Sequence, residues 1–268
     1  MMRSLWTAAS GMIAQQTNLD NISNNLANVN TTGYKKQTVE FKSLMYQTLQ
    51  AKSTDSSGNA KPVGVQVGLG VRPGAISANY EQGPLLESSG TFDYALQGSG
   101  FFMVRMSDGS VRYTRNGDFY VSLTDDGMAL TDADGNIVLD KNGKEIVLPE
   151  NTDTTKLTVD EYGYLALPDA TNNPQRTGVQ IGIATFPNQG GLERVSDSLL
   201  RESPASGVPT IRGAEEIGTK VVSGYLEGSN VQTVDEMVNM IIAQRAYEMN
   251  SKAITASDEM LQQANNLR

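Results

Sequence analysis

Residues 233–267 read TVDEMVNMIIAQRAYEMNSKAITASDEMLQQANNL. From Val234 to Leu267 there is no Pro and no Gly, so one unbroken helix of about 50 Å fits the stretch. Its apolar residues return every seventh position. Ala246, Ala253, Met260 and Leu267 form one row, and Ile242, Met249 and Ala256 form another. With Met240, Tyr247, Ile254, Leu261, Ala243 and Ala264 added, the stripe covers roughly 160° of the helical wheel. One antiparallel partner does not need so broad a stripe, whereas a helix touching neighbours on two sides does. Thr233 followed by Glu236 fits a capping box at the start, as does Ser229 followed by Gln232.

The other end repeats the pattern. Leu5, Met12, Leu19 and Leu26 form one heptad row, and Ala8, Gln15, Ile22 and Val29 lie beside it. This predicts a helix over Ser4–Val29, about 39 Å long. Gln15 interrupts the seam, and Asn18, Asn21, Asn24, Asn25 and Asn28 crowd its flanks. Asn is a poor helix former, so such a helix is marginal alone and needs a partner. Trp6 reads as packing at a helix contact. Asn30-Thr31-Thr32-Gly33 ends the helix, with Gly33 supplying the permissive backbone.

Between the helices the pattern changes to short strands. Phe101–Val104 reads as a strand, Asp108-Gly109 as a turn and Val111–Thr114 as the return. Asn116-Gly117 is a hairpin signal before Phe119-Tyr120-Val121, and turn pairs recur at Asp126-Gly127, Asp134-Gly135 and Asn142-Gly143. Val179, Ile181 and Ile183 alternate with smaller or polar residues, as in a half-buried strand. Residues 51–60 (AKSTDSSGNA) read as a loop, and Pro62–Val71, with its Gly/Val alternation, as an extended strand.

The expected fold is therefore mixed α and β. Long N- and C-terminal α-helices form a coiled-coil-like pair, with a central antiparallel β-rich domain. The expected divisions are 1–30, 31–73, 74–226 and 227–268, with a sub-lobe at about 132–177 left open. Two amphipathic helices at opposite termini point to a chain whose ends meet and polymerise. The residues expected at subunit contacts are Leu5, Met12, Leu19, Ile22, Leu26, Val29, Ile242, Ala246, Met249, Ala253, Ala256, Met260 and Leu267.

Composition removes several kinds of chemistry. There is no Cys and no His, so thiol nucleophiles, disulfides, Ser-His-Asp triads and zinc sites of the usual ligand types are out of reach. A net charge of −9 argues against non-specific binding to nucleic acid. Asp132-Ala133-Asp134-Gly135-Asn136 lacks the glycine spacing of a calcium loop and reads as a hairpin turn. Gly98-Ser99-Gly100 lacks the third glycine of a phosphate loop and precedes a strand. Paired carboxylates at Asp125/Asp126, Glu150/Asp153 and Glu215/Glu216 lie in polar turns and read as solvated surface. No catalytic, cofactor or metal residue is expected. The first residues have no apolar core of a cleavable secretory signal, so export would use another route.

Several stretches carry a resemblance. Leu26-Ala27-Asn28-Val29-Asn30-Thr31-Thr32-Gly33-Tyr34-Lys35 and the opening Ser4–Met12 resemble signatures of the bacterial flagellar rod and hook family. Ser229-Asn230-Val231, Glu236–Ile241 and Gln244–Ala253 resemble its terminal helix, and Gly98–Val104 and Tyr113–Gly117 match its middle. The signature positions are Asn28, Asn30, Thr31, Thr32, Gly33 and Tyr34. Tyr46–Pro73 resembles a stretch that marks one class of rod subunit over hook subunits, supported by Gly68-Leu69-Gly70-Val71-Arg72-Pro73. Asp132–Thr177 is longer and more charged than that family's usual central region.

The resemblance implies a non-enzymatic subunit of a helical tube, with terminal helices inside and the β domain outside. It implies export unfolded through the flagellar type III apparatus, and a rod crossing periplasm and peptidoglycan to the outer-membrane ring. Implied partners are further copies of the chain, other rod and hook-side subunits and ring proteins. A proximal rod or hook-like subunit is the alternative within the family. A peptidoglycan-binding or hydrolysing β domain is the alternative outside it.

Overall fold

The computed structural model describes residues 2–50, 64–124, 127–149, 157–168, 174–196 and 198–266. The readings of residues 51–60, of Asp125/Asp126 and Glu150/Asp153, and of Leu267 lie outside the described residues, as do parts of 62–71 and 132–177. The chain forms two compact units. One comprises Met1–Ala27, Gln37–Ala78 and Gln232–Arg268, and the other Asn28–Lys36 and Asn79–Val231.

The first unit holds the N-terminal helix (Met2–Ala27), the C-terminal helix (Thr233–Asn266) and, among the described residues, four strands. The two helices lie antiparallel. Ser4 Oγ is 3.3 Å from Ser257 Oγ, and Asn25 Nδ2 donates to Glu236 Oε2 at 3.1 Å. Between these contacts Gly11 faces Asn250 so closely that a Cβ on Gly11 would lie 2.8 Å from the Asn250 amide nitrogen. The contacts step by seven and then fourteen residues along both helices in opposite directions. Ser4, Gly11 and Asn25 thus meet Ser257, Asn250 and Glu236, and the same spacing puts Asn18 level with Ala243. Small residues let the helix axes approach, and the larger Leu5, Met12, Leu19 and Leu26 flank the seam half-buried. Strand Gln37–Ser43 pairs antiparallel with Val71–Ala78, with a bulge at Glu40/Phe41. Tyr46–Gln50 pairs with Val65–Gly68. The Gly/Val stretch is thus broken at Leu69-Gly70, where Gly70 has φ +120 and a Cβ would meet Ser10 Oγ at 2.1 Å.

The second unit is β-rich. Its largest sheet has Phe101–Arg105 near the centre, paired with Val111–Thr114, Ile137–Val138 and Ile183–Thr185. Period-two alternation explains the apolar run there. Phe102 and Val104 enter one core with Tyr94, Phe119 and Leu130, while Phe101 and Met103 enter a second with Tyr113 and Phe186. A strand covered on both faces has no polar alternation.

The Asn116-Gly117 hairpin does not form. Strand Tyr120–Thr124 pairs instead with Gly127–Thr131. Asn116-Gly117 is a crossing point: a Cβ on Gly117 would lie 1.7 Å from Tyr94 O, and Gly117 O accepts the Tyr94 N–H at 3.0 Å. The Val179–Ile183 alternation is also interrupted. The strand Pro174–Gln180 ends at Gln180 and a new one, Ile183–Thr185, follows. The Asp132 loop is a hairpin turn whose carboxylate accepts the backbone N–H groups of Asp134 and Asn136, each at 2.9 Å. Within 132–177, Ile137–Val138 and Val147–Leu148 belong to the main sheet. Thr158–Val159, Tyr164–Pro168 and Pro174–Gln180 form a sheet of their own. Glu215 and Glu216 lie exposed on the one-turn helix Ala214–Ile217.

Candidate assembly site

In the second unit the stretch that carries the signature is anchored at Lys35 by one buried carboxylate. Glu227 ends strand Tyr225–Glu227, which pairs with Leu85–Glu87. Its side chain is fully buried. Oε1 accepts from Lys35 Nζ at 2.5 Å and from the Gly83 N–H at 3.0 Å, and Oε2 accepts from Arg115 Nη1 at 3.0 Å. The backbone joins in, since the Gly33 N–H donates to Glu227 O at 2.7 Å. Lys35 also donates to Glu81 O at 2.7 Å, and Arg115 Nη2 to Gly98 O at 2.7 Å. Burial pulls the Lys35 ammonium below its ordinary range against the raising effect of Glu227, and burial likewise lowers Arg115. Each charge has bonded partners, the condition under which buried charge is tolerated.

The rest of the signature lies around this anchor. Gly33 has φ +68, and a Cβ there would stand 2.6 Å from Asn116 N and 2.7 Å from the Arg115 carbonyl carbon. Only glycine meets both demands. Thr32 Oγ1 donates to Asn116 Oδ1 at 2.8 Å, and Thr31 Oγ1 to Asn28 Oδ1 at 3.1 Å. Tyr34 is buried under the Arg194 guanidinium, 5.2 Å from the ring centroid, and Arg194 also donates to Lys35 O at 2.6 Å. Asn30 is exposed and Val29 half-buried.

In the first unit the sequence-derived contact residues separate by exposure. Ile22 is buried, and Leu5, Met12, Leu19, Leu26 and Ala246 are half-buried. Ile242 is 61% exposed, Met249 70% and Met260 49%, with Ala253 and Ala256 also open. Val238 and Ile241 are exposed as well. At 100° per residue Ile242, Met249 and Met260 lie to one side of the Glu236–Ala243–Ser257 row that meets the N-terminal helix, with Val238 and Ile241 further round. On the N-terminal helix Trp6 is 75% exposed and Ile13 is open, a heptad apart and away from the Ser4–Gly11 seam. The helix contact expected for Trp6 is not made within this chain.

The role of Glu227 was not legible in the sequence, and Glu236 was legible there only as a capping-box residue, not as the partner of Asn25. Single carboxylates beside turns and helix starts look like solvated surface, and only the cations and amides brought to them mark them out.

The second unit also carries a groove of about 360 Å³ lined by Ser88, Asp93, Asp118, Phe119 and Tyr120 among others. Asp93 accepts from the Ser88 hydroxyl, and Asp118 Oδ2 accepts from Tyr120 OH at 3.3 Å. Both carboxylates are thus held by neighbouring hydroxyls. Among the described residues no cluster of acids is arranged to hold a metal ion, and no helix is long and apolar enough to cross a membrane.

Three sequence families match the chain. Residues 5–35 match "Flagella basal body rod protein", 95–167 match "Flagellar hook protein FlgE/F/G D1 domain", and 222–267 match "Flagellar basal body rod FlgEFG protein C-terminal". The chain is 43% identical to the flagellar basal-body rod protein FlgG of Borreliella burgdorferi over 100% of its own length and 99% of that protein. It is 43% identical to FlgG of Caulobacter vibrioides and 40% identical to FlgG of Bacillus subtilis, in both cases over 100% of each chain.

Proposed function

The chain belongs to the flagellar basal-body rod and hook family and is a structural subunit of the rod, and from that premise we propose that it builds the distal rod. In this reading its copies polymerise helically into the shaft that carries torque from motor to hook. The terminal helices act as a coiled-coil-like pair in the inner tube and the β-rich unit lies outside, facing the peptidoglycan and outer-membrane rings. The chain reaches the periplasm through the flagellar type III apparatus and performs no catalysis.

One observation carries this reading. The C-terminal helix spends its small and polar face, at Glu236, Ala243 and Ser257, on the N-terminal helix of its own chain. It leaves Ile242, Met249 and Met260 open. A helix apolar on a face its own chain does not cover is suited to burial against another subunit. Full-length likeness to FlgG proteins favours a rod subunit of that type over a hook subunit. The hairpin formed by Tyr46–Gln50 and Val65–Gly68 exposes Met45, Tyr46 and Leu49 and would lock neighbouring copies into a straight shaft.

The test is Met249→Asp in a strain lacking the native subunit. An unpaired carboxylate in a subunit contact costs several kcal/mol. The variant is therefore expected to be exported with its β-rich unit folded, yet to give no rod by electron microscopy. Rods of normal length would overturn the assignment of this face.

A further inference from the structure

The closest-approach row between the two terminal helices carries a seven-residue spacing on both sides. Ser4, Gly11, Asn18 and Asn25 repeat with the same seven-residue spacing as Glu236, Ala243, Asn250 and Ser257. Sliding one helix by a heptad again sets small or polar residues of one row against small or polar residues of the other. Packing alone therefore distinguishes the registers weakly. A slip would nonetheless change which outward residues of the two helices are presented together.

One polar cluster breaks this degeneracy. Asn25 is 1% exposed. It clasps the backbone of Gln37 in both directions, with Nδ2 donating to Gln37 O at 2.8 Å and Oδ1 accepting the Gln37 N–H at 2.9 Å. Its orientation is thus set by the first strand, independently of the C-terminal helix. The same Nδ2 donates to Glu236 Oε2 at 3.1 Å, and Asn21 Oδ1 stands 3.4 Å away. Glu236 is 1% exposed and lies in the first turn of its helix, where the helix dipole favours a carboxylate. A one-heptad slip in one direction would face Asn25 with Ala243 and strip the buried carboxylate of this donor. A slip in the other direction would offer Asn18 to Glu236, without the Gln37 backbone that fixes the Asn25 amide.

We propose that Asn25 and Glu236 are the register-determining pair of the helix hairpin, with Gln37 as the fixed reference, and that they select one alignment of two helices whose seam would otherwise slip. Burying a polar pair at a single layer trades stability for one alignment, the best-attested use of such groups in helix pairs. The inference concerns the helix pair of one chain and stands apart from the assignment as a rod subunit.

The chain has no cysteine, which makes the test clean. Ser4→Cys with Ser257→Cys reports the native register, because those hydroxyls are 3.3 Å apart. Ser4→Cys with Asn250→Cys reports the one-heptad slip that sets Asn18 against Glu236. Both pairs are oxidised in the purified full chain, and intramolecular disulfides are read as fast-migrating monomer on non-reducing gels. The expected result is crosslinking of the first pair only. In an Asn25→Leu/Glu236→Leu background both pairs crosslink, with helicity by circular dichroism maintained. Glu236→Gln keeps an acceptor for the Asn25 amide and is expected to retain the single register, which separates register choice from a general loss of folding. Crosslinking of both pairs in the parent, of neither pair, or of the native pair alone in the leucine background would each overturn the proposal.

Discussion

Lys35 and Glu227 are 192 residues apart in sequence and 2.5 Å apart in space, Nζ to Oε1, with both side chains sealed from solvent. The contact ties the turn after the N-terminal helix to the last strand of the β-rich unit. Glu227 is its hub, since Arg115, Gly83 and Gly33 also bond to that one residue.

Removing the hub leaves two buried cations without their carboxylate. Glu227→Ala is expected to lower stability by about 3–5 kcal/mol. Lys35→Met leaves the Arg115–Glu227 pair intact and is expected to cost clearly less. Urea unfolding followed by circular dichroism gives both values. Equal midpoints for the two variants would show that Glu227 is not the hub.

Gly33 and Gly109 make a controlled comparison. Both have positive φ, +68 and +80, but a Cβ at Gly109 meets nothing within 4 Å whereas one at Gly33 strikes the Arg115–Asn116 backbone. Gly109→Ala is expected to cost about 1–2 kcal/mol of left-handed strain alone. Gly33→Ala is expected to cost more, by the displacement of the signature turn. Melting temperatures of the two variants decide it, and a Gly33→Ala no worse than Gly109→Ala would remove the close approach from the explanation.

Stability is expected to fall between pH 10 and 12. Burial, with help from Glu202, pushes the Tyr113 phenol up to about 12 from an ordinary 10, and burial also raises Tyr94. A group raised on folding keeps its proton in the native chain while the unfolded chain releases it. Its stabilisation is therefore complete below pH 10 and lost as pH approaches 12, on the order of 2–3 kcal/mol for Tyr113. Lys35, lowered by burial, acts in the opposite direction just below pH 10.5. Comparing the parent with Tyr113→Phe cancels that contribution. The pH slope of the urea midpoint is expected to be shallower in the variant, and identical slopes would disprove the role of Tyr113.

The helix seam has its own sensitive point. Gly11→Ala gains up to about 1 kcal/mol of helix propensity, but its Cβ would press on Asn250 at 2.8 Å. Gly11→Leu is expected to part the helices and reduce ellipticity at 222 nm, with Trp6 fluorescence reporting the change. Higher helicity and stability in Gly11→Leu would mean the seam has room that the close approach denies.

Legibility differed from element to element. The terminal helices, the Phe101–Arg105 hairpin partnership and the turns at Gly109, Gly135 and Gly143 followed from local pattern. Asn116-Gly117 did not follow. Its turn chemistry was real, but Gly117 was needed where the chain passes the Tyr94 carbonyl, a contact no local rule contains. On the helices hydrophobicity pointed to Leu5, Met12, Leu19 and Leu26, whereas the closest approach in the chain runs along Ser4, Gly11 and Asn25 beside them.

By itself the sequence determined the presence of two long terminal helices, the seven-residue spacing of their apolar residues and a turn near Gly33. These depend on propensity and periodicity, which act over a few residues. Tertiary structure alone decided that Glu227 is a buried hub, that Asn25 meets Glu236, and that the small face of the C-terminal helix is spent inside the chain while Ile242 and Met249 stay open. Whether a carboxylate is solvated surface or a buried anchor depends on which cations the chain brings to it. For Glu227 the nearer of the two is 112 residues away along the chain.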